Sequence, residues 1–216
     1  MRTKSFIKGR SIYEKKVVIF ISGNGSNMLS LIKESKAAGY PAEIVAVICD
    51  RPHAAGIEKA RKYDLPVHVF DRTKYPSRDT HEESILDILA QYKPDFICLA
   101  GYMRLISSRF IKLYEGRILN IHPSLLPAFK GLHVHERVIE EGVKITGCTV
   151  HLVVEEMDAG KILAQAAVPV YHSDTAEILA QRVLKVEHEL YPKALKFLIQ
   201  NYIEEDVNTQ QKLLSF

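Results

Sequence analysis

The sequence predicts an α/β fold with an open, mostly parallel sheet that carries helices on both faces. Short runs of apolar and β-branched residues alternate with stretches in which apolar residues recur at helical spacing. The short runs are almost continuously apolar, as in strands that are buried on both faces of a parallel sheet. With 216 residues, of which 47% are hydrophobic and 25% charged, the chain is long enough to bury a sizeable core.

The individual elements follow from this alternation in chain order. In the first half, strands are expected over residues 16–22, 44–49, 67–70 and 96–100, with helices over residues 28–39, 55–63 and 79–92. In the second half, strands are expected over residues 117–122, 147–154 and 162–170, with helices over residues 135–140 and 175–200. Pro192 is expected to interrupt or kink the last helix, because proline has no backbone N–H to donate.

Charge and composition exclude several classes of partner. The formal net charge is only +3, and basic residues are interspersed with acidic ones, unlike the basic stripe of a nucleic-acid-binding protein. No apolar run is long enough to span a bilayer. We therefore expect small-molecule substrates, no nucleic acid, no membrane, and either a monomer or a homodimer.

Cysteine usage and the chain termini indicate location and domain limits. Cys49, Cys98 and Cys148 each lie in an apolar run, which is typical of buried reduced thiols and predicts a cytoplasmic protein. The basic N-terminus lacks the apolar core of a signal peptide. We expect residues 1–14 to be a flexible extension, residues 15–203 a single domain, and residues 204–216 a polar tail.

A glycine-rich turn, Gly23-Asn24-Gly25-Ser26-Asn27, follows the first strand and precedes a helix. Such a turn exposes backbone N–H groups at the helix N-terminus, where the helix dipole favours an anion. Side chains of Ser26 and Asn27 could add donors. The turn lacks the lysine of a P-loop, so a phosphate monoester fits better than a nucleoside triphosphate. A plain helix-capping turn is the alternative.

Asn120 and His122 are the main candidates for chemistry. Strand alternation places both side chains on one face at the carboxyl end of a strand, where open α/β sheets bind ligands. An amide beside an imidazole can stabilise an oxyanion and move a proton. A structural histidine is the alternative. Asp158 belongs to an acidic turn that is expected to be solvated unless the fold brings it to His122.

Two further segments are ambiguous by themselves. Residues 99–106 form an apolar loop with one arginine, Arg104, which suits a flat heteroaromatic ligand or, alternatively, the start of a packed helix. His133 and His135 have H-x-H spacing, but no further ligand set accompanies them, so no metal is expected.

Together these segments resemble the phosphoribosylglycinamide formyltransferase family. The resemblance extends from about Lys16 to about Asn201 and rests on five ordered segments. These are Ser22-Gly-Asn-Gly-Ser-Asn27, Leu99-Ala-Gly-Tyr-Met-Arg104, Asn120-Ile-His-Pro-Ser-Leu-Leu-Pro127, Gly131-Leu-His-Val-His135 and Asp158. It implies a Rossmann-like, mostly parallel twisted sheet with an antiparallel C-terminal extension, the formyltransferase fold. It also implies a phosphate-binding N-terminal half and a folate-binding C-terminal half.

The resemblance implies a role for each matching residue. The catalytic residues would be Asn120, His122 as proton donor, and Asp158, which favours the protonated imidazole. The phosphate contacts would be Gly25, Ser26 and Asn27. The folate contacts would be Arg78, Met103, Arg104, Leu105, Ile106 and Asn120. The secondary residues would be Thr149, His151 and Glu187.

The reaction implied is formyl transfer from 10-formyltetrahydrofolate, as co-substrate, to the amine of glycinamide ribonucleotide in purine synthesis, without a metal. Formyltetrahydrofolate deformylase, a hydrolase with a similar centre, is the alternative, although that family carries an N-terminal domain for which the residues before Lys16 leave no room. A methionyl-tRNA formyltransferase should carry an added C-terminal domain. A non-catalytic nucleotide-binding module would explain the glycine-rich turn, but not Asn120, His122 and Asp158 together.

Overall fold

The computed structural model describes residues 6–7, 10–11 and 14–213, with side chains described for residues 14–202. The strands are β1 Phe6–Ile7, β2 Arg10–Ser11, β3 Lys15–Ile21, β4 Ala42–Cys49, β5 Val67–Val69, β6 Phe96–Leu99, β7 Ile118–His122, β8 Ile145–Leu152 and β9 Ile162–Pro169. The helices are α1 Ser26–Ser35, α2 Gly56–Arg61, α3 Arg78–Tyr92, α4 Ser108–Leu113, α5 Val134–Glu140 and α6 Ala176–Leu213. Arg72–Lys74 forms a single turn of 3-10 helix.

Seven strands form one sheet in the order β5-β4-β3-β6-β7-β8-β9. The pairs from β5 to β7 are parallel, whereas β8 runs antiparallel to β7 and β9 runs antiparallel to β8. The predicted fold class is therefore confirmed, including the antiparallel extension at the C-terminal side. β1 and β2 pair with each other in a separate two-stranded sheet.

The core lies on both faces of the interior strand β3. Val17, Ile19 and Ile21 pack towards α1 and α6, while Val18 and Phe20 pack on the opposite face towards α3 and α4. All five side chains are at most 1% exposed. Each buried aliphatic or aromatic side chain of this kind stabilises the fold by about 1.5–3 kcal/mol. This explains why the strand is continuously apolar, and it confirms the predicted helices on both faces.

Two local predictions differ from the structure. No helix is predicted at residues 108–113, where α4 is only six residues long and is capped by Ser107, whose hydroxyl accepts from Phe110 N. A helix this short has too few residues to display a periodic pattern. Of the two outcomes predicted at Pro192, the interruption is wrong, because α6 continues through it, and the kink stays a prediction. The helix is fixed there by Tyr191, which is fully buried, and by Tyr40, whose hydroxyl donates to Pro192 O at 2.7 Å.

The predicted domain limits fall partly outside the described residues. Residues 1–5, 8–9, 12–13 and 214–216 are not described. Helix α6 runs on to Leu213, which includes most of the segment that the sequence analysis separates as a tail. The limits at residues 14 and 203 stay predictions. Among the described residues, every helix is too short or too polar to cross a membrane.

Candidate active site

The predicted site residues lie around the carboxyl ends of β3, β6 and β7. The chain passes from β3 outwards to β4 on one side, and returns to β6 on the other side. Adjacent parallel strands whose connections leave in opposite directions open a crevice at their carboxyl ends, which is where such sheets bind ligands. The glycine-rich turn follows β3, the loop of residues 100–107 follows β6, and Asn120 pairs with Leu99 at the end of β6.

The glycine-rich turn has the geometry of an anion site at a helix N-terminus. Gly25 occupies the N-cap of α1 with φ +70°, and no side chain caps the helix. A Cβ at Gly25 would lie 2.9 Å from the Met28 methyl carbon and 3.0 Å from Gly56 Cα. The first intrahelical bond runs from Leu29 N to Gly25 O, so the N–H groups before it are free for a ligand.

The side chain of Asn27, predicted to add a donor for a ligand, is bonded within the protein. The amide donates to Glu187 Oε2 at 2.7 Å, and both side chains are buried. Burial raises the pKa of Glu187, and the bond from Asn27 partly opposes this. One hydrogen of the Asn27 amide is therefore committed to Glu187, and the backbone N–H of Asn27 remains for an anion. Glu187 contacts this turn from α6, which links the secondary residue to the predicted phosphate site.

The loop of residues 100–107 is anchored by two hydroxyl groups. Ser22 Oγ accepts from Met103 N at 2.8 Å, and Ser22 N donates to Gly101 O at 3.0 Å. At the other end, the buried carboxylate of Glu82 accepts from both the backbone N–H, at 2.9 Å, and the hydroxyl of Ser107. Between these anchors the loop exposes apolar surface: Met103 is 62% exposed and Leu105 67% exposed.

Three arginines meet at a cavity of about 250 Å³ beside this loop. Arg72, Arg78 and Arg104 line it together with Thr73, Tyr75, Ser77 and His81. Arg78 and Arg104 are predicted folate contacts, and their charges suit an anionic end of such a ligand. The larger cavity, of about 510 Å³, lies at the carboxyl ends of β4 and β5, and none of the predicted site residues lines it.

The structure brings Asp158 to His122. His122 Nδ1 lies 3.5 Å from Asp158 Oδ2, and the two side chains are 7% and 8% exposed. The other ring nitrogen, Nε2, lies 2.8 Å from the carbonyl oxygen of Phe129. A carbonyl only accepts, so Nε2 carries hydrogen. The His122 ring therefore lies between a carbonyl acceptor at Nε2 and a carboxylate beside Nδ1.

His151 fixes the orientation of the Asn120 amide. His151 Nδ1 lies 3.0 Å from Leu152 O and must be the protonated nitrogen. Burial is the main cause that lowers the pKa of His151, and the nearby His122 lowers it further. The hydrogen bond to Leu152 and the charge of Asp158 raise this pKa and partly offset the effect. The neutral ring therefore accepts at Nε2 from Asn120 Nδ2, 3.2 Å away. One hydrogen of the Asn120 amide remains for a ligand oxygen.

Backbone geometry carries Asp158 to this position. Asp158 has φ +53°, in the left-handed region that aspartate tolerates better than most residues. Its Oδ2 accepts from Gly131 N at 2.9 Å. The turn passes so close to β8 that a Cβ at Gly160 would lie 1.7 Å from Leu152 O. Only glycine fits at position 160. This close approach explains how an otherwise solvated turn places the Asp158 side chain in the protein interior.

Thr149 belongs to a saturated hydrogen-bond network with Gln165, a residue that the sequence analysis missed. The Thr149 hydroxyl donates to Ser124 O at 2.7 Å and accepts from Leu126 N at 3.0 Å. Gln165 Nε2 donates to Thr149 Oγ1 at 3.0 Å and to Leu126 O at 2.9 Å. Strand β9 thereby holds the loop that leads from His122 to Phe129. The available signal was the polar Gln165 within an apolar strand pattern.

The H-x-H pair does not form a metal site with other side chains. His133 is exposed and pairs with Glu136. His135 is half-buried, and burial lowers its pKa. In the part of the chain that the structure describes, no three His, Cys, Asp or Glu side chains are grouped so as to hold a metal ion.

The fold and this arrangement define an α/β enzyme in which an amide, an imidazole and a carboxylate share one edge of the sheet with an uncapped helix N-terminus, groups of the kind that suit an oxyanion and an anion. Residues 15–195 match the model of the formyl transferase family, and the chain belongs to that family.

Two relatives differ in how much of their own length this chain matches. The chain is 40% identical over 185 residues to phosphoribosylglycinamide formyltransferase of Bacillus subtilis, covering 86% of this chain and 95% of that protein. It is 44% identical over 201 residues to the chicken trifunctional purine biosynthetic protein adenosine-3, covering 93% of this chain. The chain spans only 20% of the length of that relative.

A solved structure has the same fold. The crystal structure of phosphoribosylglycinamide formyltransferase from Brucella melitensis is 59% identical, with a TM-score of 0.83. The match covers 86% of this chain and 96% of that chain.

Proposed function

We propose that this protein transfers the formyl group of 10-formyltetrahydrofolate to the amine of glycinamide ribonucleotide, a step in the de novo synthesis of the purine nucleotide IMP. The observation that carries the proposal is the contact of Asp158 with His122 beside Asn120, at the strand end next to the open N-terminus of α1. Membership of the formyl transferase family supports the reaction class. The names of the relatives support the choice of acceptor.

The acceptor is assigned to the crevice between the glycine-rich turn and β7. Its phosphate takes the free N–H groups of Gly25, Ser26 and Asn27, where the helix dipole favours a negative charge. Glu187, buried beside Asn27, faces the same turn. The amine of the acceptor then extends towards Asn120 and His122.

The formyl donor is assigned to the loop of residues 100–107. Exposed Met103 and Leu105, with Ile106, offer an apolar surface to the flat folate ring system. Arg78 and Arg104 offer charge to its carboxylates at the small cavity.

The mechanism is attack of the acceptor nitrogen on the formyl carbon. The C=O electron pair moves to oxygen, and the C–N bond to the folate breaks as the oxyanion collapses. The amide hydrogen of Asn120 that His151 leaves free donates to the oxyanion, and the charge of His122 stabilises it. Asp158 balances that charge. The proton lost by the amine passes through water to the folate nitrogen that leaves.

The neighbouring side chains orient Asn120 and the loop beside His122. His151 turns the Asn120 N–H group rather than its oxygen towards the reacting centre, while Thr149 and Gln165 hold the loop that carries Phe129 O. Preorganised donors of this kind cost little reorganisation when charge develops. We assign the reaction to the cytoplasm, where the free and buried thiols of Cys49, Cys98 and Cys148 remain reduced.

The test is incubation of the protein with 10-formyltetrahydrofolate, with and without glycinamide ribonucleotide. We expect the loss of 10-formyltetrahydrofolate to require the nucleotide and to match the appearance of formylated nucleotide one to one. Release of formate without the nucleotide would instead identify a hydrolase. Binding of either compound without turnover would identify a binding module and overturn the proposal.

A further inference from the structure

A lysine from outside the glycine-rich turn holds that turn in place. Lys59 Nζ lies 3.0 Å from Asn24 O and also contacts Asn24 Oδ1. The two residues are 35 positions apart. The turn itself contains no lysine, which distinguishes it from a P-loop. In the folded protein, Lys59 of α2 brings a lysine to the turn.

Helix α2 is packed directly against the turn. Gly56 N donates to Gly23 O at 3.0 Å. A Cβ at Gly56 would lie 2.6 Å from Ile21 Cδ1 and 3.3 Å from Gly25 Cα, so only glycine allows this approach. Lys59 lies three residues further along α2 and therefore on the same face as Gly56.

The charge of Lys59 remains available at the turn. Glu58, its neighbour on α2, pairs with Arg61 at 2.6 Å. Among residues 14–202, no carboxylate lies within ion-pair distance of Lys59 (4.0 Å). An ammonium has three donors. Two of them reach the oxygens of Asn24, and the third is left for a ligand on the turn.

We propose that Lys59 is a positioning residue for the phosphate of the acceptor. It fixes the Asn24 peptide so that the N–H groups after it face the phosphate, and it places a positive charge beside the dianion. Lys59 therefore contributes to the selection of a phosphorylated acceptor over the same compound without phosphate. This inference rests on the proposed function.

The test is a double cycle between Lys59 and the substrate phosphate. We measure kcat and KM for glycinamide ribonucleotide, and kcat/KM for glycinamide riboside, in the wild type, Lys59→Met and Lys59→Arg. Lys59→Met should raise KM for the nucleotide about tenfold or more, which is the scale of a hydrogen bond to a charged group. It should leave kcat for the nucleotide and kcat/KM for the riboside nearly unchanged. Lys59→Arg should restore most of the affinity.

Lys62→Met is the matched control, because it removes the same charge from an exposed position at the end of the same helix. It should leave KM for the nucleotide unchanged. An equal loss with nucleotide and riboside in Lys59→Met would show a purely structural role and overturn the inference, as would an unchanged KM. A wild-type protein that does not formylate the nucleotide at all would instead overturn the proposed function.

Discussion

The two halves of the candidate site use different chemical groups, backbone in one and side chains in the other. At the carboxyl end of β3, the ligand-facing groups are backbone N–H donors, and the shape depends on glycine: Gly25 with φ +70° and Gly56 in contact with it. At the carboxyl end of β7, the ligand-facing groups are side chains. Asn120 is held there by His151 of β8, and His122 lies against Asp158.

This difference predicts which substitutions should impair each half of the candidate site. A backbone site tolerates side-chain changes but not a Cβ in the wrong place, since the N–H groups belong to every residue. A side-chain site depends on individual atoms, because each removed partner leaves another buried group unsatisfied. Substitutions in the first half should therefore act mainly on acceptor KM, and substitutions in the second mainly on kcat.

The largest effect is expected from the pair of His122 and Asp158. His122→Ala and Asp158→Asn should each lower kcat by about 10²–10³, as expected for loss of one transition-state contact. KM for the nucleotide should change little, and both variants should remain folded by circular dichroism. Glu155→Gln is the control, since it removes an exposed acid from the same turn. Near-native turnover in either variant would contradict the assignment.

The next largest effect is expected from the network of β8 and β9. Thr149→Val leaves Leu126 N, Ser124 O and one hydrogen of the Gln165 amide without partners. It should lower the free energy of unfolding by about 1–3 kcal/mol and lower kcat by releasing the loop that carries Phe129 O. Urea denaturation and steady-state kinetics test this. A fall in stability with unchanged kcat would separate the network from catalysis.

A smaller effect on KM is expected from Gly25→Ala. The substitution adds strain of about 1–2 kcal/mol at positive φ and a Cβ that meets Met28 and Gly56. KM for the nucleotide should rise while kcat is retained. Gly39→Ala is the control, because Gly39 also has positive φ, +78°, but nothing lies within 4 Å of a Cβ there. An equal rise of KM in both variants would argue against a specific role of the turn.

The smallest effect is expected away from the site, at Asp174. Arg182 contacts both oxygens of Asp174, at 2.6 and 2.7 Å, and lowers the pKa of this carboxyl to about 2. A lowered pKa stabilises the fold fully above the ordinary value of 3.8, and this contribution is lost as pH falls through about 2. Wild-type Tm should exceed that of Asp174→Asn at pH 6, and the difference should shrink towards pH 2 with activity at neutral pH unchanged.

Local patterns were sufficient for most of the fold. The continuous apolar run of β3 and the turn after it could be predicted because a few adjacent residues specify them. The alternation that places Asn120 and His122 on one face is equally local. By contrast, α4 and the continuity of α6 through Pro192 depend on a single cap and on tertiary contacts, which no short window contains.

The candidate site was harder to derive, because its partners are distant in sequence. From the residues alone, Asp158 had the pattern of a solvated turn, and only the family resemblance connected it with His122. Gln165 and Lys59 were missed for the same reason: each acts on a loop that is 39 or 35 residues away. The side chain of Asn27 was assigned to a ligand because nothing near it in the chain predicts Glu187.

The bond between Asn27 and Glu187 has a consequence for synthesis of the chain. These residues are 160 positions apart, so almost the whole domain leaves the ribosome before the amide of Asn27 meets its partner. Tyr191, one turn later, lies within hydrogen-bond distance of the carbonyls of Leu99 in β6 and Leu119 in β7. A nascent chain that stalls before α6 therefore presents a turn and two strands that still lack these contacts.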